Sequence, residues 1–157
     1  MDSRDQLDVT DWKILRELQR DGRITNVELS SRVGLSPPPC LRRVQALEKA
    51  GLIGGYRAQL DAAMLGYDMA AFAFIGLKSQ AEAELMAFEE LARKWPVVRE
   101  AYAISGEADF LLKLVARDLA GLQNFIIRDL TAAANVDSVK TTLILRVSKY
   151  EPGVPIG

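Results

Sequence analysis

The chain has 157 residues, 49% of them apolar and 26% charged, with a net charge of −1; this is ordinary globular composition, enough for one domain or two small ones. It has no histidine and a single cysteine, Cys40, which excludes an internal disulfide, removes the commonest general base and leaves no set of zinc ligands. No apolar run approaches the roughly 18 residues that span a bilayer, and an opening with Asp2, Asp5, Asp8 and Asp11 does not read as a secretory leader, so a cytoplasmic protein without metal or cofactor is expected.

The first helix is expected over residues 9–20. Asp8 is placed to cap it, Asp11 sits favourably in its first turn, and Trp12, Leu15 and Leu18, with Ile14 beside them, form an apolar stripe. A second helix starts at the capping box Thr25-x-x-Glu28 and ends at Gly34, a residue suited to the left-handed C-cap. The third opens with Ser36-Pro37-Pro38-Pro39. Prolines in a first helical turn remove only N–H groups that have no partner inside the helix. They also take away the usual capping partners of Ser36, leaving its hydroxyl for a phosphate of a bound partner, for the Cys40 N–H or for water.

From Cys40 onward, Cys40, Val44 and Leu47 fall on one helical face. At about 100° per residue, Pro38, Arg42, Gln45, Ala46 and Lys49 gather on the other, with Arg43 on the flank. Arg42 and Gln45 have the chemistry to read guanine and adenine edges in a major groove, and Arg43 and Lys49 suit phosphates. Cys40 has no resolving partner and reads as core packing. Residues 53–57 and 58–60 resemble two short wing strands, with Arg57 placed either to touch flanking DNA or to sit in solvent. Residues 23–57 carry six cations against two anions, a net of +4, whereas residues 61–157 carry ten against thirteen, a net of −3. A basic module joined to an acidic domain shows this asymmetry.

A linker is expected at 61–68. Beyond it the pattern predicts a strand at 69–77, a helix at 82–94, strands at 97–105 and 110–115, a helix capped by Asp118 and running to about 130, and a last strand at 136–147. The order βαββαβ is ferredoxin-like, which makes the chain an α+β protein. Its domains would be a winged helix-turn-helix at 1–60 and a second domain at 69–157. Two helices cover one sheet face, so Phe72, Phe74, Ile104, Leu112, Leu143 and Leu145 are expected on the uncovered one, too apolar to leave in water.

Residues 21–48 (DGRITNVELSSRVGLSPPPCLRRVQALE), followed by GLIGGY at 51–56 and SGEADFLLK at 105–113, resemble the Lrp/AsnC family of leucine- and asparagine-responsive regulators along nearly the whole chain. The S-P-x-P-C-L opening is similar to the leucine-responsive branch, from which Pro38 and Arg42 depart on the presumed DNA face. The resemblance implies a DNA-binding transcription regulator that forms dimers through its sheets, and tetramers or octamers beyond them. It also implies an amino-acid effector held between dimers near a G-x-x-D loop. Ser105, Gly106, Glu107, Ala108 and Asp109 form that loop here. Asp109 is expected to accept a bond from the ligand amine or from nearby backbone, and Thr141 and Thr142 to supply hydroxyls or pack plainly. DNA contacts fall on Ser36, Pro38, Arg42, Arg43, Gln45, Lys49 and Arg57. Two other classes compete. An enzyme of related fold acting on an anionic tetrapyrrole would call for pocket histidines, which are absent. A nucleoid-organising protein with little ligand response would share the same DNA face.

Overall fold

The computed structural model describes residues 7–156; residues 1–6, part of the opening read above as no leader, lie outside the described residues. The chain divides into two compact units: one runs to Gln59 and takes in the segment from Tyr150, and the other is Leu60–Lys149. The expected second domain, by contrast, ran through residue 157.

In the first unit, α1 (Val9–Arg20) starts on a reciprocal cap. The Asp8 carboxylate accepts from the N–H groups of Thr10 and Asp11 at 2.8 and 2.9 Å, and the Asp11 carboxylate accepts from the Asp8 N–H at 3.1 Å. Ile14, rather than Trp12, is the buried residue of this helix, and Trp12 is 40% exposed. The second helix, α2 (Asn26–Val33), is capped by Thr25, whose hydroxyl accepts from the Glu28 N–H at 3.2 Å. Only this half of the expected capping box forms, because the Glu28 carboxylate turns to Arg32, which also reaches Glu17 of α1 at 2.9 Å. Gly34 takes the left-handed conformation, φ 77°, and lets the chain turn into α3 (Pro37–Lys49). Ile14, Leu29, Val33, Cys40 and Leu47 form the core of the unit.

The expected wing strands do not form: among the described residues no strand lies between α3 and residue 69. Gly54 and Gly55 weaken an extended pairing, and neither piece has a ladder partner. Instead the Tyr56 hydroxyl donates to the Glu48 carboxylate of α3 at 2.9 Å. Partial burial and that neighbouring charge push the phenol pKa up to about 12.

The second unit has the expected order: β1 (Met69–Leu77), α4 (Glu82–Lys94), β2 (Val98–Ala103), β3 (Phe110–Ala116), α5 (Leu119–Phe125) and β4 (Val136–Leu143). The sheet runs β2-β3-β1-β4 with every pair antiparallel. Asp118 caps α5 by accepting from the Gly121 N–H at 2.7 Å. After Phe125 the helix widens into a π turn, Ile126–Leu130, in which the Thr131 N–H donates to the Ile126 carbonyl at 2.8 Å. The extra residue in that turn moves the inward face on by one position. Leu130 is therefore fully buried along with Leu122 and Phe125, where an unbroken helix would have turned Asp129 inward.

The sheet register separates the two faces. Ala71, Ala73 and Ile75 pack under the helices with Leu112 and Leu114, and with Phe88, Phe110 and Phe125. Leu112 is opposite Ala73 and Leu143 is opposite Ala71. Cross-strand partners share a face, so Leu112 and Leu143 point to the side of the helices, contrary to the expectation, Leu112 fully buried and Leu143, on the edge strand, still 43% exposed; the alternation of the strand places Phe72 and Phe74 on the open one. Ile104 and Leu145 lie beyond the strand ends. The last strand stops at Leu143 rather than 147 because β1, its only neighbour among the described residues, begins at Met69; one further bond, Ile144 N–H to the Ala70 carbonyl at 2.8 Å, ends the ladder.

Candidate functional site

The first candidate surface is α3. Its N-cap, Ser36, makes no side-chain capping bond, as the prolines dictate. The Cys40 N–H donates to the Ser36 carbonyl at 3.3 Å, leaving the Ser36 hydroxyl uninvolved in the cap. Ser36, Pro38, Arg42, Gln45 and Lys49 are all exposed, whereas Cys40 is fully buried. Burial pushes the Cys40 thiol pKa up, which fits packing and not redox chemistry. Arg57 is exposed on the extended segment after α3.

Arg43 is placed differently. Its Nη1 donates to Asp8 Oδ2 and to Asp11 Oδ1, 2.8 Å each. The bond from the Asp11 N–H, and the Arg43 guanidinium beside it, hold the Asp8 carboxyl below its usual range; the two carboxylates in turn raise the guanidinium pKa. The flank cation expected at a phosphate is thus already engaged within the unit. A second contact was not foreseen: Asn26 Nδ2 donates to the Pro37 carbonyl at 2.8 Å. A polar residue in the first turn of a helix gives no sequence signal of a partner eleven residues on.

The second candidate surface is the loop between β2 and β3. The Ile104 N–H donates to the Asp109 carbonyl at 3.0 Å and closes the loop, and Gly106 takes φ 124°, a region that favours glycine. Ser105, Gly106 and Glu107 are exposed and Ala108 is half-buried. Of the two roles open to Asp109, the backbone one is filled. Its Oδ2 accepts from the Leu77 N–H at 2.6 Å and from Gln80 Nε2 at 3.4 Å, while its own N–H donates to the Ile75 carbonyl at 2.8 Å. It bolts the loop to the end of β1 where the β1–β4 register shifts between Gly76 and Leu77.

Thr141 and Thr142 are not brought to this loop within the chain. They pair with Ala73 and Phe72, further back along β1, and as neighbours on a strand they point to opposite faces. An open hollow of about 460 Å³ borders both ends of the loop, at Ala103 and Phe110, with Arg93 and Arg99 at its wall.

The pattern described as winged helix-turn-helix DNA-binding matches residues 7–53. That of the Lrp/AsnC ligand binding domain matches residues 70–154. The chain is 60% identical over 146 residues to the leucine-responsive regulatory protein of Rhizobium meliloti (strain 1021), covering 93% of this chain and 94% of that one. It is 38% identical over 150 residues to the transcriptional regulator AzlB of Bacillus subtilis (strain 168), covering 96% of each. Among solved structures, a transcriptional regulator from Neisseria meningitidis in complex with L-Met superposes with a TM-score of 0.92 at 37% identity, covering 96% of this chain and 97% of that one. An AsnC family transcriptional regulator from Agrobacterium tumefaciens superposes with a TM-score of 0.89 at 33% identity, over the same shares.

Proposed function

Since the chain belongs to the Lrp/AsnC family of DNA-binding transcription regulators with an amino-acid ligand-binding domain, we propose that α3 is its recognition helix and that Arg42 and Gln45 carry the sequence reading. The observation that supports this is the clean split of α3: Cys40 and Leu47 are buried, and Ser36, Pro38, Arg42, Gln45 and Lys49 are exposed along the opposite side. Arg42 is free to present its fork to a guanine edge and Gln45 its amide to adenine. Lys49, Arg57 and the uncapped Ser36 hydroxyl contact phosphates, and Pro38 packs against the groove wall. Residues 1–60 form the DNA-binding domain, 61–68 the linker and 69–157 the ligand-binding and assembly domain, whose last residues, from Tyr150, pack with the first unit.

The effector is an amino acid bound near Ser105, Gly106, Glu107 and Ala108. Asp109 supports the loop from behind, and the hollow beside it carries both signs of charge, Arg93 and Arg99 with Glu89 and Glu100, as a zwitterionic ligand requires. The loop is open to solvent in one chain, so a second copy completes the site. Thr141 and Thr142, on opposite faces, serve it one at a time at most. Dimers form through the open sheet face around Phe72 and Phe74, assemble further into tetramers or octamers, and present two copies of α3 to a roughly palindromic site. Effector binding then alters DNA affinity by linkage. The protein works in the cytoplasm, without a membrane partner and without catalytic activity.

Selection of duplexes from a random pool, followed by affinity measurements across salt concentrations, tests the DNA face. Arg42→Ala is expected to relax preference at one base pair, at a cost of about 1–3 kcal/mol on the selected site. Lys49→Ala is expected to weaken all sequences alike and to lower the salt slope by about one. Unchanged binding in both variants would remove α3 from the interface.

A further inference from the structure

Two polar contacts hold α3 from different parts of the first unit. Arg43 straps the middle of α3 to the first turn of α1 through Asp8 and Asp11. Asn26 ties the start of α3 to the first turn of α2 through the Pro37 carbonyl. The triple proline gives these contacts their importance. Ser36 makes no capping bond, and Pro38 and Pro39 have no N–H to offer, so the start of α3 lacks the usual polar lock. The side chain of Arg43 is 37% exposed and that of Asp11 13%. For Arg43 to reach a phosphate, it would have to leave two carboxylates that also cap α1.

Arg42 lies next to Arg43, about 100° further round the helix. A bidentate contact to a base edge needs its fork aligned in plane and direction, so the rotation of α3 about its own axis decides which base Arg42 meets. We propose that Arg43 is a positioning residue: gripped by Asp8 and Asp11, it sets the rotation of α3 and hence the sequence read by Arg42 and Gln45, without itself touching DNA. This rests on the reading of α3 as the recognition helix.

The test uses the full chain, a duplex selected by the wild type from a random pool, and a scrambled duplex of the same composition, each titrated across salt concentrations. Asp8→Asn combined with Asp11→Asn removes both charges yet keeps side chains that cap helices well. Arg43→Ala and the double asparagine variant are each expected to lower the selected-to-scrambled affinity ratio about tenfold. Combining all three substitutions is expected to cost no more than Arg43→Ala alone, with the wild-type salt slope retained throughout. A slope lowered by about one in Arg43→Ala would overturn the proposal, and so would an unchanged ratio in the asparagine variant. If Arg43→Ala does not fold by circular dichroism, the asparagine variant decides alone, because an Arg43 freed to bind phosphate would tighten binding to both duplexes. A wild type that holds both duplexes equally would overturn the reading of α3 and the proposal with it.

Discussion

Arg42 and Arg43 are adjacent, carry the same charge and have different fates. The helical period separates them correctly, placing Arg42 opposite Cys40 and Arg43 on the flank. It cannot supply the partners of Arg43, because Asp8 and Asp11 lie more than thirty residues away in sequence. The Asn26 bond to Pro37 was hidden because it crosses from one helix to the next, eleven residues on. Asp8 itself was legible as a cap, because the cap pattern is local. Its depressed carboxyl pKa has a consequence for stability. A carboxyl lowered by folding contributes stability that is complete above its unfolded value, here 3.8, and is lost as pH falls through the lowered folded value. Asp8→Asn is therefore expected to flatten the acid limb of the stability profile, read as urea midpoints from roughly pH 5 to 2. A limb as steep as wild type would assign the titration to other carboxyls.

At the scale of elements, boundaries set by local chemistry were readable and those set by neighbours were not. α1 starts and ends where its caps and the Asp21-Gly22 turn require, and β1 and α4 keep the expected bounds. The last strand ends early because its partner runs out, and the wing pieces stay unpaired because no described residue of the unit offers them a ladder. Facing direction was the subtler error. Period two fixes which residues of one strand share a side, but only the register says that Leu112 and Leu143 share it with Ala71 and Ala73. Leu112 is fully buried, so Leu112→Ala is expected to cost about 2–5 kcal/mol, measured by urea unfolding of the full chain. A cost below about 1 kcal/mol would return Leu112 to the open face, since surface substitutions stay within about 0.5 kcal/mol.

For the whole molecule, Phe74, 37% exposed on the open face of β1, is expected to matter for assembly. Phe74→Ser should shift sedimentation toward smaller species while leaving the unfolding midpoint of dilute protein nearly unchanged; unaltered sedimentation would place the assembly surface elsewhere. The loop bordered by the 460 Å³ hollow should respond to an amino acid. A ligand at about 100 times its dissociation constant adds about 2.7 kcal/mol to stability, visible as a raised melting temperature, and no shift with any of the twenty amino acids would count against the loop. The two-domain order was legible in the charge asymmetry and the change of period, but the return of the chain after Lys149 to the first unit was not, because it involves partners more than a hundred residues apart in sequence. Gln19 Nε2 donates to the Val154 carbonyl at 2.7 Å and Gln19 Oε1 accepts from the Val154 N–H at 3.0 Å. This bears on chimeras that exchange heads between relatives. A junction cut at residue 60 takes Gln19 from one parent and its docking segment from the other. Gln19 grips only backbone, so the residue at 154 is free to vary, apart from proline, which has no N–H. Such exchanges should tolerate a foreign sequence after Lys149 that keeps a glycine at 153, where φ is 104° and a Cβ would collide with Gln19, and fail with a foreign length.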